Sequence, residues 1–249
     1  MNMNLVIIYG ISSLLGFSIA KKLCENQQFH IIGMYRNSND YIEDLNKEQQ
    51  VIKLMSVDLL SHDIKPSQIL DDIVHEYDNI TVLYSCGVWN HSPVIKITKN
   101  EIEHVTRIGF RAPVEVMSRY IQYLDDNGKK WQFIATTGLA GEKGAVKYNG
   151  LYNATTTALC NFARSVASEV SGSGNIVCLY SIGLFDKGQE YINNLCRQLT
   201  IQRPLSLEKI IEPICQQITY PNIAFNGAVV ELSDGLFNYQ EAANIMVSK

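Results

Sequence analysis

Tyr152 is the side chain in this sequence best suited to proton transfer, and its neighbours limit what it can do. A phenol with an ordinary pKa of about 10 exchanges protons at neutral pH only where a nearby cation stabilises its anion. One helical turn on, Thr156 offers a hydroxyl and no charge. Lys143 and Lys147 stand upstream, either reaching inward to compensate or remaining as solvated loop charges, and the usual exposure of lysine favours the second. Tyr148, one turn before Tyr152, either shares its pocket or forms an aromatic wall. His91, after Trp89-Asn90, is a further pocket candidate against a surface or packing role, and Asp186-Lys187 reads first as an exposed charge pair. A different chemistry is offered by Gly10-Ile11-Ser12-Ser13-Leu14-Leu15-Gly16, a turn framed by glycines that lets phosphate oxygens approach backbone amides.

These residues are positioned by short β-branched runs alternating with longer helical patterns, which predicts an α/β fold with a doubly wound parallel sheet. Strands are expected near Leu5–Tyr9, His30–Tyr35, Val51–Val57, Ile80–Ser85, Trp131–Thr136, Asn175–Ser181 and Gly227–Leu232. The first helix begins after Ser12-Ser13, whose hydroxyls can cap it, and runs to Leu23. Two longer helices, about Lys99–Leu124 and Leu151–Val170, carry apolar residues on more than one side and so have a second face to bury. In an open sheet of this kind ligands bind beyond the carboxyl ends of the strands, which points to the loops after Tyr9, Tyr35, Ser85, Thr136 and Ser181. Leu184–Pro204 follows a strand end without a strong core pattern and is a lid candidate, with an ordinary surface segment as the alternative.

Composition narrows the classes. At 249 residues and 46% hydrophobic content, with no repeat, low-complexity tract or linker, residues 1–249 read as a single domain. A net charge of −4 gives no reason to expect nucleic acid or an anionic membrane as partner. The six cysteines (Cys24, Cys86, Cys160, Cys178, Cys196, Cys215) lack a Cys-x-x-Cys pair, so no metal site is expected. Leu5-Val6-Ile7-Ile8-Tyr9 has no basic flank and reads as a first strand rather than a signal peptide, which makes the cytoplasm the expected location.

The glycine turn between the first strand and first helix resembles the Gly-x-x-x-Gly-x-Gly turn of the short-chain dehydrogenase/reductase family, with Leu14 in place of the middle glycine. The likeness extends through Asp58-Leu59, Tyr84-Ser85-Cys86-Gly87 in the place of Asn-Asn-Ala-Gly, Ile182-Gly183, and the closing Asn226-Gly227 to Ser233-Asp234-Gly235. It implies a Rossmann-type domain with Gly10, Ser12, Ser13, Leu15, Gly16, Arg36, Asp58, Leu59, Gly87 and Gly183 at a nicotinamide dinucleotide. No carboxylate follows the second strand, and Arg36 suits a 2′-phosphate, so the expected cofactor is NADP(H).

The family's reaction set is represented by Tyr152 alone. Its lysine is Thr156, its serine is Gly138, and its helix asparagine is Gly109. Thr137 is the neighbouring hydroxyl candidate, although adjacent strand residues point to opposite faces. Three functions follow in order of preference: a catalytically degenerate binding or assembly subunit, an NADPH-dependent ketone or 3-ketoacyl reductase rearranged around Tyr152, and a non-redox isomerase, dehydratase or cyclase. The resemblance implies self-association or pairing with a homologous active reductase, through the two long helices and a tail carrying Phe237, Tyr239, Ile245 and Met246. The ligand expected is a small molecule or acyl thioester.

Overall fold

The computed structural model describes residues 3–48, 52–61, 63–138, 148–183, 185 and 204–233. Seven strands form one parallel sheet in the order β3-β2-β1-β4-β5-β6-β7. They are β1 (Asn4–Tyr9), β2 (Phe29–Tyr35), β3 (Ile52–Ser56), β4 (Asn79–Tyr84), β5 (Lys130–Gly138), β6 (Ile176–Ile182) and β7 (Val229–Leu232). All seven predicted strands are present with ends shifted by one or two residues. Val51 lies outside the described residues. Chain order reverses between β1 and β4, and the cleft opens at the carboxyl ends there, as this topology requires.

Both faces of the sheet are covered, which is why β1 is an unbroken apolar run: Leu5, Ile7 and Tyr9 pack on one side, Val6 and Ile8 on the other. One layer holds α1 (Leu14–Cys24), α2 (Asp40–Leu45) and, near the chain end, Leu207–Thr219. The opposite layer is built from the short α3 (Ser67–Leu70), α4 (Lys99–Thr106), α5 (Ala112–Asp126) and α6 (Gly150–Glu169). Leu207–Thr219, here α7, tolerates Pro213 and packs Ile210, Ile214 and Ile218 beside Ile19 and Leu23 of α1. Ser13 caps α1 by accepting from the Gly16 amide at 3.0 Å. Among the described residues no helix is long and apolar enough to cross a membrane, and no three metal-ligating side chains converge.

The expected single helix Lys99–Leu124 is interrupted by a wider turn at Arg107–Arg111, where the Ala112 amide reaches back to the Arg107 carbonyl. Pro113 is the cause, because it has no N–H and its ring conflicts with the carbonyl four residues before it, that of Gly109. Tyr84 completes the bulge: its buried hydroxyl donates to the Ile108 carbonyl at 2.7 Å. The bulge brings Gly109 against α6, where a Cβ would stand 2.8 Å from Thr155 Oγ1.

Candidate functional site

The glycine turn closes tightly. Gly10 has φ +87, and a Cβ there would lie 2.7 Å from the Ser85 carbonyl oxygen and 2.9 Å from Cys86 Sγ, so only glycine fits. The turn is tied down when Ser13 N donates to Gly10 O at 3.0 Å and Asn39 Nδ2 donates to Ser12 O at 2.9 Å. Gly16, another residue expected at the cofactor, also serves the packing of the helix. It is buried and allows α1 to rest on the Gly10 carbonyl, where a Cβ would collide.

Beyond the turn the cleft has two ends. The first, a cavity of about 340 Å³, gathers Gly10, Ser12, Ser13, Arg36, Asp58, Leu59 and Gly87 along one wall system. His104 of α4 joins them from across the cleft, a residue that no sequence motif singles out. Asp58 also closes its own turn, accepting from Leu60 N at 3.0 Å and Ser61 Oγ at 3.2 Å. Arg36 is exposed, yet its charge reaches the floor: burial pushes the Cys86 thiol up to about 12, and Arg36 pulls against that rise.

The second end, about 410 Å³, is lined by Leu14, Leu15, Val88, Trp89, Thr136, Thr137, Gly138, Tyr152, Thr156, Leu159, Gly183 and Phe185, among others. Leu14, Leu15 and Gly183 therefore belong to this end rather than to the first. The register of β5 and β6 pairs Thr137 with Ser181 and Gly138 with Ile182 at the rim. Thr136 donates to Ser85 Oγ at 3.4 Å, a long contact between two hydroxyls on the cleft floor. Tyr152 stacks on the half-exposed Trp89, with ring centroids 6.0 Å apart and planes 18° from parallel. The sequence carries no signal for this role of Trp89, which lies in an irregular loop with no periodicity to betray a partner.

Tyr152 comes to rest where a side chain at position 138 would begin. A Cβ built on Gly138 would run into the Tyr152 hydroxyl and lie 2.9 Å from Cζ and 3.0 Å from Cε1. Thr156, at the lysine position, turns back along its helix and donates to the Tyr152 carbonyl at 2.9 Å, while Thr155 donates to the same carbonyl at 2.8 Å. Burial raises the Tyr152 phenol above its ordinary value, offset in part by the Thr156 hydroxyl. No lysine, arginine or histidine is among the described residues lining this end. A phenol in these surroundings stays neutral at physiological pH and acts as a hydrogen-bond donor or an aromatic wall.

The remaining expectations sort plainly. His91 is exposed, meets Tyr148 edge to face at 5.4 Å, and lines neither end of the cleft. Tyr148 takes a left-handed backbone (φ 68), its carbonyl accepts from Ser92 N at 2.8 Å, and it forms no part of the Tyr152 pocket wall. Lys143, Lys147, Asp186 and Lys187 lie outside the described residues, as do the tail beyond Ser233 and most of the lid candidate Leu184–Pro204. Of that last segment Phe185 is described, in a parallel bridge to Leu205.

The family model of the short chain dehydrogenases matches residues 4–186. The chain belongs to the short-chain dehydrogenase family. A curated relative, the 3-ketodihydrosphingosine reductase of Bacteroides thetaiotaomicron, is 23% identical over 95% of this chain and 91% of its own length. Among solved structures, 4-hydroxyisoleucine dehydrogenase complexed with NADH superposes with a TM-score of 0.80 at 16% identity, covering 92% of this chain and 97% of that one. A dehydrogenase/reductase from Sinorhizobium meliloti 1021 gives 0.80 at 16% identity, with 96% of both chains covered. These likenesses fix the Rossmann-type fold of this short-chain dehydrogenase. The site must be judged on its own residues.

Proposed function

We propose that this short-chain dehydrogenase is a catalytically degenerate member of its family that binds NADP(H) without reducing a carbonyl, and serves as a binding or assembly subunit. One observation carries the reading: the Tyr152 hydroxyl fills the space in which the family's serine would stand. The cofactor, when bound, supplies a hydride. The residues here must supply the proton and hold the carbonyl oxygen, and the described ones lack the family's lysine and serine for those two tasks. Tyr152 has no described cation beside it, and the Thr155 and Thr156 hydroxyls are committed to the Tyr152 carbonyl. Loss of general acid-base assistance costs about 10²–10⁴ in rate, and loss of an oxyanion donor about 10²–10³.

Support for nucleotide binding comes from the intact Gly10 turn and the α1 amino terminus. Support for the 2′-phosphate comes from Arg36, directly after β2, in a loop (Arg36-Asn37-Ser38-Asn39) that carries no carboxylate. The test pairs two measurements on the purified protein. NADPH should bind, and Arg36→Ala should weaken it while leaving NADH unchanged. NADPH oxidation with ketones or 3-ketoacyl thioesters should stay at background.

A second reading, an NADPH-dependent carbonyl reductase rearranged around Tyr152, is favoured by the name of the 23% identical relative. Turnover that disappears in Tyr152→Phe would establish it and remove the first. The assembly role predicts a cytoplasmic homodimer, or a complex with a homologous active reductase. A monomer with no copurifying partner in sedimentation would argue against that part.

A further inference from the structure

The two ends of the cleft are unequally equipped for the two ends of a dinucleotide. At the first end, the Gly10 turn, Arg36, Asp58, Leu59 and Gly87 keep what a phosphorylated adenosine needs: a close backbone approach, a cation, and a wall that includes a leucine and a glycine. At the second end, Leu14 projects into the cavity from the first position of α1. Among the described residues most of the polar side chains there are already engaged, which leaves the Thr136, Thr137 and Ser85 hydroxyls at the floor and rim. Ser13 Oγ accepts from Gly16 N, the Thr155 and Thr156 hydroxyls serve the Tyr152 carbonyl, and the Tyr152 phenol is packed against Gly138. The rest of the described lining is largely apolar: Leu14, Val88, Trp89, Leu159, Ile182 and Phe185.

A nicotinamide riboside carries two hydroxyls and a carboxamide, and desolvating them on such a surface, with no charged side chain and few hydroxyls among its described residues, opposes binding. The adenosine end meets no such obstacle. We infer that this protein recognises the phosphorylated adenosine end of a nucleotide and gains no affinity from the nicotinamide riboside. The inference rests on the nucleotide-binding reading above and deepens it. It names adenosine 2′,5′-bisphosphate as the recognised unit and leaves the second end as a largely apolar chamber.

Calorimetric titration of the full chain with NADPH, adenosine 2′,5′-bisphosphate and nicotinamide mononucleotide tests it. The bisphosphate and NADPH should bind with dissociation constants within about threefold of each other, whereas an unimpeded second half adds orders of magnitude. Nicotinamide mononucleotide should not bind at millimolar concentration. Arg36→Ala should weaken the first two by the same factor, of about tenfold to a hundredfold for a charge-assisted contact. The 3′,5′-isomer, which is the corresponding end of coenzyme A, should bind at least about tenfold more weakly than the 2′,5′-isomer. Tighter or equal binding of that isomer overturns the assignment of the 2′-phosphate. NADPH binding about a hundredfold tighter than the bisphosphate overturns the inference while leaving the nucleotide-binding reading intact. If neither ligand binds, that reading fails and the inference falls with it.

Discussion

Gly138→Ala adds a single methyl group, and the sign of its effect reports where Tyr152 sits. Gly138 has no positive φ, so alanine suits the backbone, and relief of unfolded-state entropy alone would stabilise the protein by about 0.4–1 kcal/mol. The structure requires the opposite. The new Cβ would collide with the Tyr152 hydroxyl and press on Cζ and Cε1 at 2.9 and 3.0 Å. The ring cannot yield freely, because Trp89 lies over it at 6.0 Å and α6 is anchored by the buried Thr155 and Thr156. Overpacking of this kind costs about 1–3 kcal/mol. Escape of the ring from under Trp89 gives up an aromatic contact of about 0.5–1.5 kcal/mol. The net expectation is destabilisation by about 1–2 kcal/mol, which for a chain of this size is a fall of roughly 2–8 °C in the melting midpoint. Urea unfolding followed by fluorescence measures it, with Trp89 reporting the stack and Trp131, buried and donating to Asp125 at 2.7 Å, serving as the internal reference. Repeating the substitution in a Tyr152→Leu background should remove most of the penalty. Unchanged or increased stability in Gly138→Ala, with Trp89 emission unaltered, would refute the placement of the phenol and the functional reading built on it. The same geometry means that Gly138→Ser, needed to rebuild a reductase site alongside Thr156→Lys and Leu14→Gly, must first displace Tyr152.

Further consequences follow from the bulged helix and its cap. Tyr84→Phe should cost about 1–3 kcal/mol in equilibrium unfolding, since it strips the 2.7 Å bond from the buried Ile108 carbonyl and leaves that oxygen without its partner. Gly109→Ala gains about 1 kcal/mol of helix propensity but places a Cβ 2.8 Å from Thr155 Oγ1 and 3.1 Å from its Cβ. It should therefore be destabilising by urea titration, and less so beside Thr155→Ala. The Thr98 backbone amide, together with the Ser92 and Thr98 hydroxyls, holds the Glu101 carboxyl at about 2, below its ordinary 4.5. Because the folded value is the lower one, this contribution is complete above about pH 4.5 and is lost as pH falls toward 2. Melting curves across that range should be steeper for the native chain than for Glu101→Gln.

Residue types and their order were enough to specify the sheet. Apolar runs such as Leu5–Tyr9, buried on both faces, admit little but central parallel strands, and the alternating helical patterns force crossovers. Ser13 before an amphipathic helix is a local cap, legible without tertiary knowledge. The absence of a lysine at 156 and of a serine at 138 is equally plain, being a matter of residue type. The break at Arg107–Arg111 has a local signal in Pro113, yet the apolar periodicity continues on both sides of it and reads as one helix.

How the vacated positions were filled is a matter of tertiary packing. Tyr152 could have faced an open pocket, and its contact with Gly138 exists because α6 and the end of β5 converge there. Leu14 is a departure from the glycine pattern on paper. Its place at the second end of the cleft, and that of Gly16 in helix packing, depends on how α1 meets β1. Such contacts join elements whose separation along the chain carries no periodic signal. Their outcome is set by the close packing of a dense interior, in which a missing side chain at one position becomes room for an atom from another.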